Sequence, residues 1–453
     1  MPVTINPATE EVITEYEDMP YPELEAILKA TSKEAAAWSE FPIEDRAQHM
    51  FKAADVLDRR KEKLALLMTR EMGKPIKEAR GEVEKCAMVC RYFAEHGPRF
   101  LEDETIEGDV KSYVTFHPLG VVLAIMPWNF PLWQVFRFVA PGLIAGNGGI
   151  LKHSPNVTGC ALAIESVLQE AGFPKNLFRT IIASTDDIKQ VIESDYIQAV
   201  TLTGSERAGV AVATAAGGSL KKCVLELGGS DPYLILEDAD LDLAVDKCVA
   251  GRLLNAGQSC IAAKRLITIA SIHDNFVEEL MRKVASYTVG DPEDEKTDIG
   301  PMARSDLRES LHKQVTASVS GGAELKLGGT IPNKTGFYYP ITILDHVKAD
   351  TPAYDEELFG PVITIIEAKD EADAIRIAND TRFGLGSAVF TQDLARGERI
   401  AKQLESGLTF INDFVKSDAN HPFGGVKKSG YGRELSQYGI REFVNIKTVM
   451  VMG

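Results

Sequence analysis

The chain has no CxxC pair, no HExxH, no excess of positive charge and no uninterrupted apolar run of membrane length. Over 453 residues, 49 lysines and arginines face 66 aspartates and glutamates, a formal net charge of −17 at pH 7. A protein that grips a phosphate backbone needs a basic face, so nucleic acid is not an expected partner. The longest apolar stretch, residues 121–150, is interrupted by Pro127, Asn129, Pro131, Arg137 and Pro141, which argues against a membrane helix. The first 20 residues carry five acidic groups and no apolar centre, so no secretory signal is expected. The six cysteines (86, 90, 160, 223, 248 and 260) and the eight histidines are scattered without ligand spacing. That excludes a recognisable zinc motif or disulfide framework, leaves no metal site to expect, and favours a reducing compartment, with cytoplasm as the default.

The composition itself is globular, with 45% hydrophobic and 25% charged residues. A chain of this length exceeds one compact core and implies two or three domains. Apolar residues at three-to-four spacing through Leu24–Thr31, Ala47–Leu57 and Leu64–Met72 predict a helical stretch over 22–98. Residues 112–118 alternate like an exposed ribbon. From Val121 onward strands and helices take turns: strands at 121–126, 149–152, 177–182 and 199–202, helices at 132–144, 157–171 and 186–193. That rhythm predicts an α/β fold with a parallel sheet covered on both faces. It restarts after Gly228-Gly229, with strands at 231–236, 264–269 and 384–390 and helices at 241–254 and 372–379. The tail, residues 443–450, is β-prone and can pair within this chain or with another subunit.

Four segments carry residues able to do chemistry. Residues 200–209 read as a strand, a Gly-Ser turn and a helix with Ser205 as its N-cap. Free N–H groups at such a helix start suit a pyrophosphate, although GxGxxG is lacking and strand–Gly–helix turns are common. Residues 255–260 put the Cys260 thiol after a glycine-containing turn. A thiolate is a strong nucleophile, but a cysteine can equally be a small buried hydrophobe, which is the reading for Cys86 and Cys90 on one helical face. Glu226 ends an apolar strand before Gly228; buried, it would titrate high enough to act as a general base, and at an exposed edge it would not. Asn129, in a proline-clamped loop, can donate to an oxyanion or merely cap a turn.

Together NPATEEVI (6–13), MPWNFP (126–131), LTGSERAG (202–209), LELGGSDP (225–232), GQSCIAAKR (257–265), EELFGPV (356–362) and PFGGVKKSGYGRE (422–434) resemble the aldehyde dehydrogenase superfamily, in its order and spacing, across nearly the whole chain. Within it the chain is most similar to short bacterial succinate-semialdehyde dehydrogenases, with KHSPN at 152–156. The resemblance implies a Rossmann-like cofactor domain (1–102 and 121–228), an α/β catalytic domain (229–433) and a β-ribbon oligomerisation element (103–120 and 434–453) that builds a homodimer or homotetramer.

The resemblance also assigns roles. Cys260 attacks the aldehyde, the oxyanion meets the Asn129 amide and the Cys260 N–H, a hydride passes to the nicotinamide, and Glu226 activates water against the thioester. Lys152 and Glu357 would hold the two riboses. Trp128, Ser205 and Phe359 would line the cofactor path, Gly204 and Gly209 would allow close approach, and Ser154, Pro155 and Leu227 complete the cofactor set. Pro155 stands where many NAD-preferring relatives carry a glutamate that would repel a 2′-phosphate, and it supplies neither that charge nor a hydrogen bond; both cofactors are expected to be used, with some preference for NAD. Arg137 stands where semialdehyde dehydrogenases place an arginine on the distal carboxylate, a charge-assisted pair worth about 1.5–3 kcal/mol. The alternative for Arg137 is a plain salt bridge on a helix face. Trp133, Ser259 and Ser417 are expected around it. Leu254 replaces a second arginine of some relatives, so carboxylate binding is expected to be weaker or shared with Ser417. The activity so implied is NAD(P)-dependent oxidation of succinic semialdehyde to succinate. Its alternatives are another semialdehyde or a broad range of plain aldehydes, and, further off, a cysteine hydrolase or a non-catalytic cofactor binder.

Overall fold

The computed structural model describes residues 1–452. The first strand–helix series forms a six-stranded sheet in the order Gly430–Tyr431, Lys222–Glu226, Ala199–Thr203, Val121–Met126, Gly148–His153 and Phe178–Thr180. Its strands run parallel except the short Gly430–Tyr431, which returns antiparallel against Leu225 and Glu226. The second series builds a seven-stranded sheet: Glu324–Leu327, Thr342–Asp345, Val362–Ala368, Ala263–Ile269, Asp231–Ile235, Gly386–Phe390 and Leu408–Ile411. Strands buried on both faces favour apolar residues at every position, and Val121–Met126 is built that way, whereas Ala263–Ile269, equally buried, carries Lys264, Arg265 and Thr268, whose side chains find hydrogen-bond partners inside.

The N-terminal helical stretch resolves into Tyr21–Ser39, Ile43–Arg59, Lys61–Met72 and Ile76–Phe100. Cys86 and Cys90 lie buried in the last of these, as small core residues. This long helix packs on Trp133–Ile144, every residue of which is buried. Gln134 and Arg137 are therefore held inside the protein and must find partners there.

The tail strand Val444–Val451 pairs with Lys111–Pro118 of the same chain, which in turn pairs with Glu104–Ile106. Of the two open readings for the tail, the intrachain one is observed. The strand expected over 177–182 shortens to Phe178–Thr180. Strands Thr342–Asp345, Val362–Ala368 and Leu408–Ile411 and helices His273–Val284 and Ser305–Ser320 were not expected. Thr342–Asp345 is short and buried throughout, Val362–Ala368 is buried at all but Glu367, and Leu408–Ile411 has only four residues, so none shows the alternation that announces a strand in sequence. No helix among the described residues is long and apolar enough to cross a membrane.

Candidate active site

The helix Leu241–Leu253 ends one residue earlier than its pattern suggests, because the chain turns left-handed through Asn255 (φ 56°), Ala256 (φ 53°) and Gly257 (φ 71°). At Gly257 a Cβ would stand 2.2 Å from the Gly360 carbonyl oxygen, so only glycine fits. Two non-glycine residues in this conformation store strain that the surroundings must hold. The Asn255 Nδ2 donates to the Asn129 carbonyl (2.7 Å), the Asn255 N–H donates to Glu78 (2.8 Å), and Ala303 N–H donates to the Gln258 side chain (3.0 Å). The Asn129 Nδ2 donates to the Gln258 carbonyl at 3.0 Å, which ties the PWNFP loop to the turn carrying Ser259 and Cys260. One amide hydrogen of Asn129 is thereby used and the other remains to donate.

Cys260 opens into a cavity of about 250 Å³. Its walls come from distant parts of the chain: Lys85 of the helix Ile76–Phe100, Trp133 and Arg137 of the helix Trp133–Ile144, Ser259 beside the thiol, Ser417, and Phe423. Burial pushes the Cys260 thiol up to about 12, against the opposing pull of Arg137 and Lys264. The resting group is the thiol, and a thiolate has to be raised by a base or by added positive charge.

Glu226 is 1% exposed, which excludes the exposed-edge reading, and neither carboxyl oxygen has a hydrogen-bond partner. Burial first, and the neighbouring Glu434 second, hold it well above the usual carboxylate range. Arg137 Nε lies 2.7 Å from Glu434 Oε2 with both side chains buried, although out of line for a directed hydrogen bond. The guanidinium also donates to Gln134 and, at 3.4 Å, to Thr203, and it packs 4.6 Å from the Phe423 ring centre. Arg137 thus lines the cavity as expected, but its charge is already matched inside the protein. Arg137 faces both buried carboxyls, Arg433 adds a second positive charge near Glu226, and burial still holds Glu226 and Glu434 above the usual carboxylate range.

Trp133 Nε1 donates to Ser417 Oγ (3.1 Å), and Lys85 Nζ donates to the same oxygen (2.9 Å). The structure therefore brings Trp133, Arg137, Ser259 and Ser417 together around Cys260. It adds Lys85, Glu434 and Lys264, which the sequence reading missed. Lys264 Nζ donates to the carbonyls of Ser259 (2.8 Å) and Cys260 (2.7 Å). Its signal was its place four residues after the thiol, at the start of a strand; for Lys85 and Glu434 no local signal existed. Leu254 sits at the cavity rim, 39% exposed.

On the other side of the loop, Ser205 Oγ accepts from Ala208 N–H (3.3 Å) and caps the helix Glu206–Gly218. A Cβ at Gly209 would stand 2.7 Å from Leu227 Cδ1, so the glycine lets this helix settle on the strand end. Ser205, Gly228 and Glu357 line an open cleft of about 590 Å³, and Lys152, Leu202 and Ala208 line another of about 960 Å³. Glu357 accepts from Gly229 N–H (3.1 Å) and pairs with Lys264 at 3.1 Å. Trp128 meets Phe359 edge-on, ring centres 5.7 Å apart. Ser154 Oγ donates to Asn156 (2.7 Å), while Pro155 lies beside Lys152 in a small pocket at the strand end. Gly204 N–H donates to the Glu226 carbonyl (2.9 Å), placing the Gly-Ser turn next to the base. A capped helix start between two clefts, with a lysine on one flank and a carboxylate on the other, fits an elongated anionic dinucleotide.

The histidines are less dispersed in space than in sequence. His273, Asp345 and His346 offer ligand atoms within 4.8 Å of one another. Both His273 nitrogens are engaged, by Thr268 Oγ1 (2.7 Å) and Asp345 (3.0 Å), and Lys326 stands 3.5 Å from the same carboxylate. The cluster reads as a buried ion-pair network.

Comparison with known proteins agrees with this geometry. Residues 2–449 match the aldehyde dehydrogenase family. The chain is 47% identical over 448 residues to a succinate semialdehyde dehydrogenase [NAD(P)+] of Escherichia coli, covering 99% of this chain and 97% of that one. It is 46% identical over 449 residues to a probable succinate-semialdehyde dehydrogenase [NADP(+)] of Synechocystis, covering 99% of each. Among solved structures, succinic semialdehyde dehydrogenase from Streptococcus pyogenes in complex with NADP+ superposes with a TM-score of 0.98 at 36% identity, over 100% of both chains. A family match over residues 2–449, and relatives and a solved structure matched end to end, place this chain in the aldehyde dehydrogenase family.

Proposed function

We propose that this enzyme oxidises succinic semialdehyde to succinate with a nicotinamide dinucleotide, and uses NADP at least as readily as NAD. The observation that carries the reading is the Cys260 thiol at a small cavity whose walls hold both apolar rings and cations, a shape and charge suited to a short aldehyde with a distal carboxylate. The cofactor preference reverses the expectation from sequence. The relatives above are named for NADP(+) or NAD(P)+, and in this chain Pro155 leaves no glutamate there to repel a 2′-phosphate.

The bound oxidised nicotinamide supplies the hydride acceptor. The chain's own residues do the rest. Once its proton has passed to water, Cys260 Sγ adds to the carbonyl carbon, and the free amide hydrogen of Asn129 together with the Cys260 N–H takes up the negative charge on oxygen. Loss of hydride leaves a thioester on Cys260. Glu226, once deprotonated, takes a proton from water as it attacks that thioester and frees the acid. Lys152, Ser154, Pro155, Gly204, Ser205, Gly209, Leu227, Glu357, Trp128 and Phe359 form the dinucleotide site in this reading.

The domain division at 1–102 with 121–228, 229–433, and 103–120 with 434–453 belongs to the same proposal, as does a homodimer or homotetramer working in the cytoplasm. Exposed Ile106, Ile446 and Met450 on the three-stranded ribbon support an apolar contact there.

The test is reduced-nicotinamide formation with succinic semialdehyde, glutaric semialdehyde, butanal and benzaldehyde, each with NAD and NADP. Succinic semialdehyde should lead the plain aldehydes in kcat/KM by about tenfold or more. Equal rates would keep the thioester chemistry and replace the substrate by a broad range of aldehydes.

A further inference from the structure

Lys264 is the second residue of the strand Ala263–Ile269 and is 2% exposed. Each of the three hydrogens on its ammonium has an acceptor in reach: the carbonyls of Ser259 (2.8 Å) and Cys260 (2.7 Å), and Glu357 Oε1 (3.1 Å). The Ser259 carbonyl shares a peptide plane with the Cys260 N–H, and the Cys260 carbonyl lies in the next plane. Holding both planes fixes φ and ψ of Cys260, and so the direction of its Cα–Cβ bond and of its N–H. A cation on the Ser259 carbonyl also polarises that peptide and makes its N–H a stronger donor.

The third partner belongs to the other side of the loop. Glu357 Oε1 accepts from Gly229 N–H (3.1 Å) and pairs with Lys264, so one oxygen of this carboxylate is pinned from two directions. A Cβ on Gly228 would collide with Glu357 Oε2, beside the open cleft that Ser205, Gly228 and Glu357 line. The absent side chain at 228 leaves room for that second oxygen to face the cleft.

We propose that Lys264 is a positioning residue that holds the Cys260 backbone and the Glu357 carboxylate in one fixed relation, and thereby sets the nucleophile against the nicotinamide. This rests on the reading of the Glu357 cleft as part of the dinucleotide site. The hydride leaves a carbon bonded to Cys260 Sγ and has to reach a ring whose ribose is held from Glu357, so a displacement on either side lengthens the transfer. The same ammonium acts on the thiol itself. Burial holds the Cys260 thiol high, and Lys264, after Arg137, is a cation that pulls against it.

The experiment compares wild type, Lys264→Met, Glu357→Gln and the double variant; Lys264→Gln takes the place of Lys264→Met should the latter lack a cooperative melting transition. Two quantities are read. One is single-turnover NADPH formation with enzyme in excess over the aldehyde that wild type oxidises best, carrying hydrogen or deuterium on the formyl carbon. The other is the rate at which iodoacetamide alkylates Cys260 without dinucleotide, followed by peptide mass spectrometry. Lys264→Met should slow the single turnover at least about tenfold and expose a primary isotope effect, as Glu357→Gln should, while the double variant falls no more than about threefold below either. Lys264→Met should also slow alkylation at least about threefold in both backgrounds, whereas Glu357→Gln alone should not slow it. Single-turnover losses that multiply in the double variant overturn the assignment, and so does alkylation untouched by Lys264→Met. If Glu357→Gln changes neither the single turnover nor KM for NADP, the dinucleotide reading of that cleft falls and the Lys264 link falls with it. If Glu357→Gln slows the turnover and Lys264→Met does not, Lys264 alone falls.

Discussion

On the proposed dinucleotide side of the Cys260 loop, backbone N–H groups, glycines and a capping serine cluster within 202–209 and 225–229, and Lys152 and Glu357 flank them. On the substrate side the corresponding groups are side chains at 85, 133, 137, 260, 417 and 434, gathered by the packing of two helices and three loops. The first side is open and its charges stand near water. The second is closed, and every charge in it has to be matched or left for a ligand. A site made of backbone tolerates substitution at its margins, whereas one made of buried, balanced charges does not.

That contrast sets the expected size of each perturbation. Replacing Cys260 by serine should reduce aldehyde oxidation to the background of an NADPH absorbance assay while leaving the melting temperature unchanged. Residual oxidation at the wild-type rate would move the nucleophile elsewhere. Glu226→Gln should lower kcat by about 10²–10⁴-fold, with a burst of roughly one reduced nicotinamide per active site, because only thioester hydrolysis loses its base. The wild-type counterpart is a pH profile. Glu226 works deprotonated and its pKa is raised, so hydrolysis should fall as pH drops through a value above the ordinary carboxylate range. A flat profile from there down to acid pH would remove Glu226 as the base.

Arg137→Met should destabilise the fold by about 3–5 kcal/mol in urea denaturation, since it strands Glu434 beside Glu226. Adding Glu434→Gln should recover most of that loss; if the double variant is no more stable than the single, the pairing argument fails. Ser205→Ala, on the open side, should cost only about 1 kcal/mol of stability through its lost cap, with a small rise in KM for the dinucleotide. A large effect there would erase the contrast between the two sides.

The same contrast explains what was legible in the sequence. The βαβ rhythm, the Gly-Ser turn, the strand ending at Glu226 and the turn before Cys260 are local patterns, and each takes its expected place in the fold, whereas the burial of Glu226 was left open by the sequence and decided by packing. Lys85 was invisible because its meaning depends on Ser417, 332 residues away. Arg137 was seen, but its partner Glu434 was not, and without that partner a matched guanidinium looks like a free one. Strands such as Val362–Ala368 were passed over because a strand apolar at nearly every position carries no alternation to read. The tail strand could be read but its pairing could not, because edge pairing is decided by neighbours remote in sequence.

The central claim is that oxidation leaves an acyl group on Cys260 and that Glu226 removes it. The most direct measurement is peptide mass spectrometry of Glu226→Gln quenched during turnover with succinic semialdehyde and NADP. The account predicts one succinyl group on the peptide bearing Cys260, appearing with the burst of NADPH. NADPH formation without any acyl adduct on that peptide would contradict it.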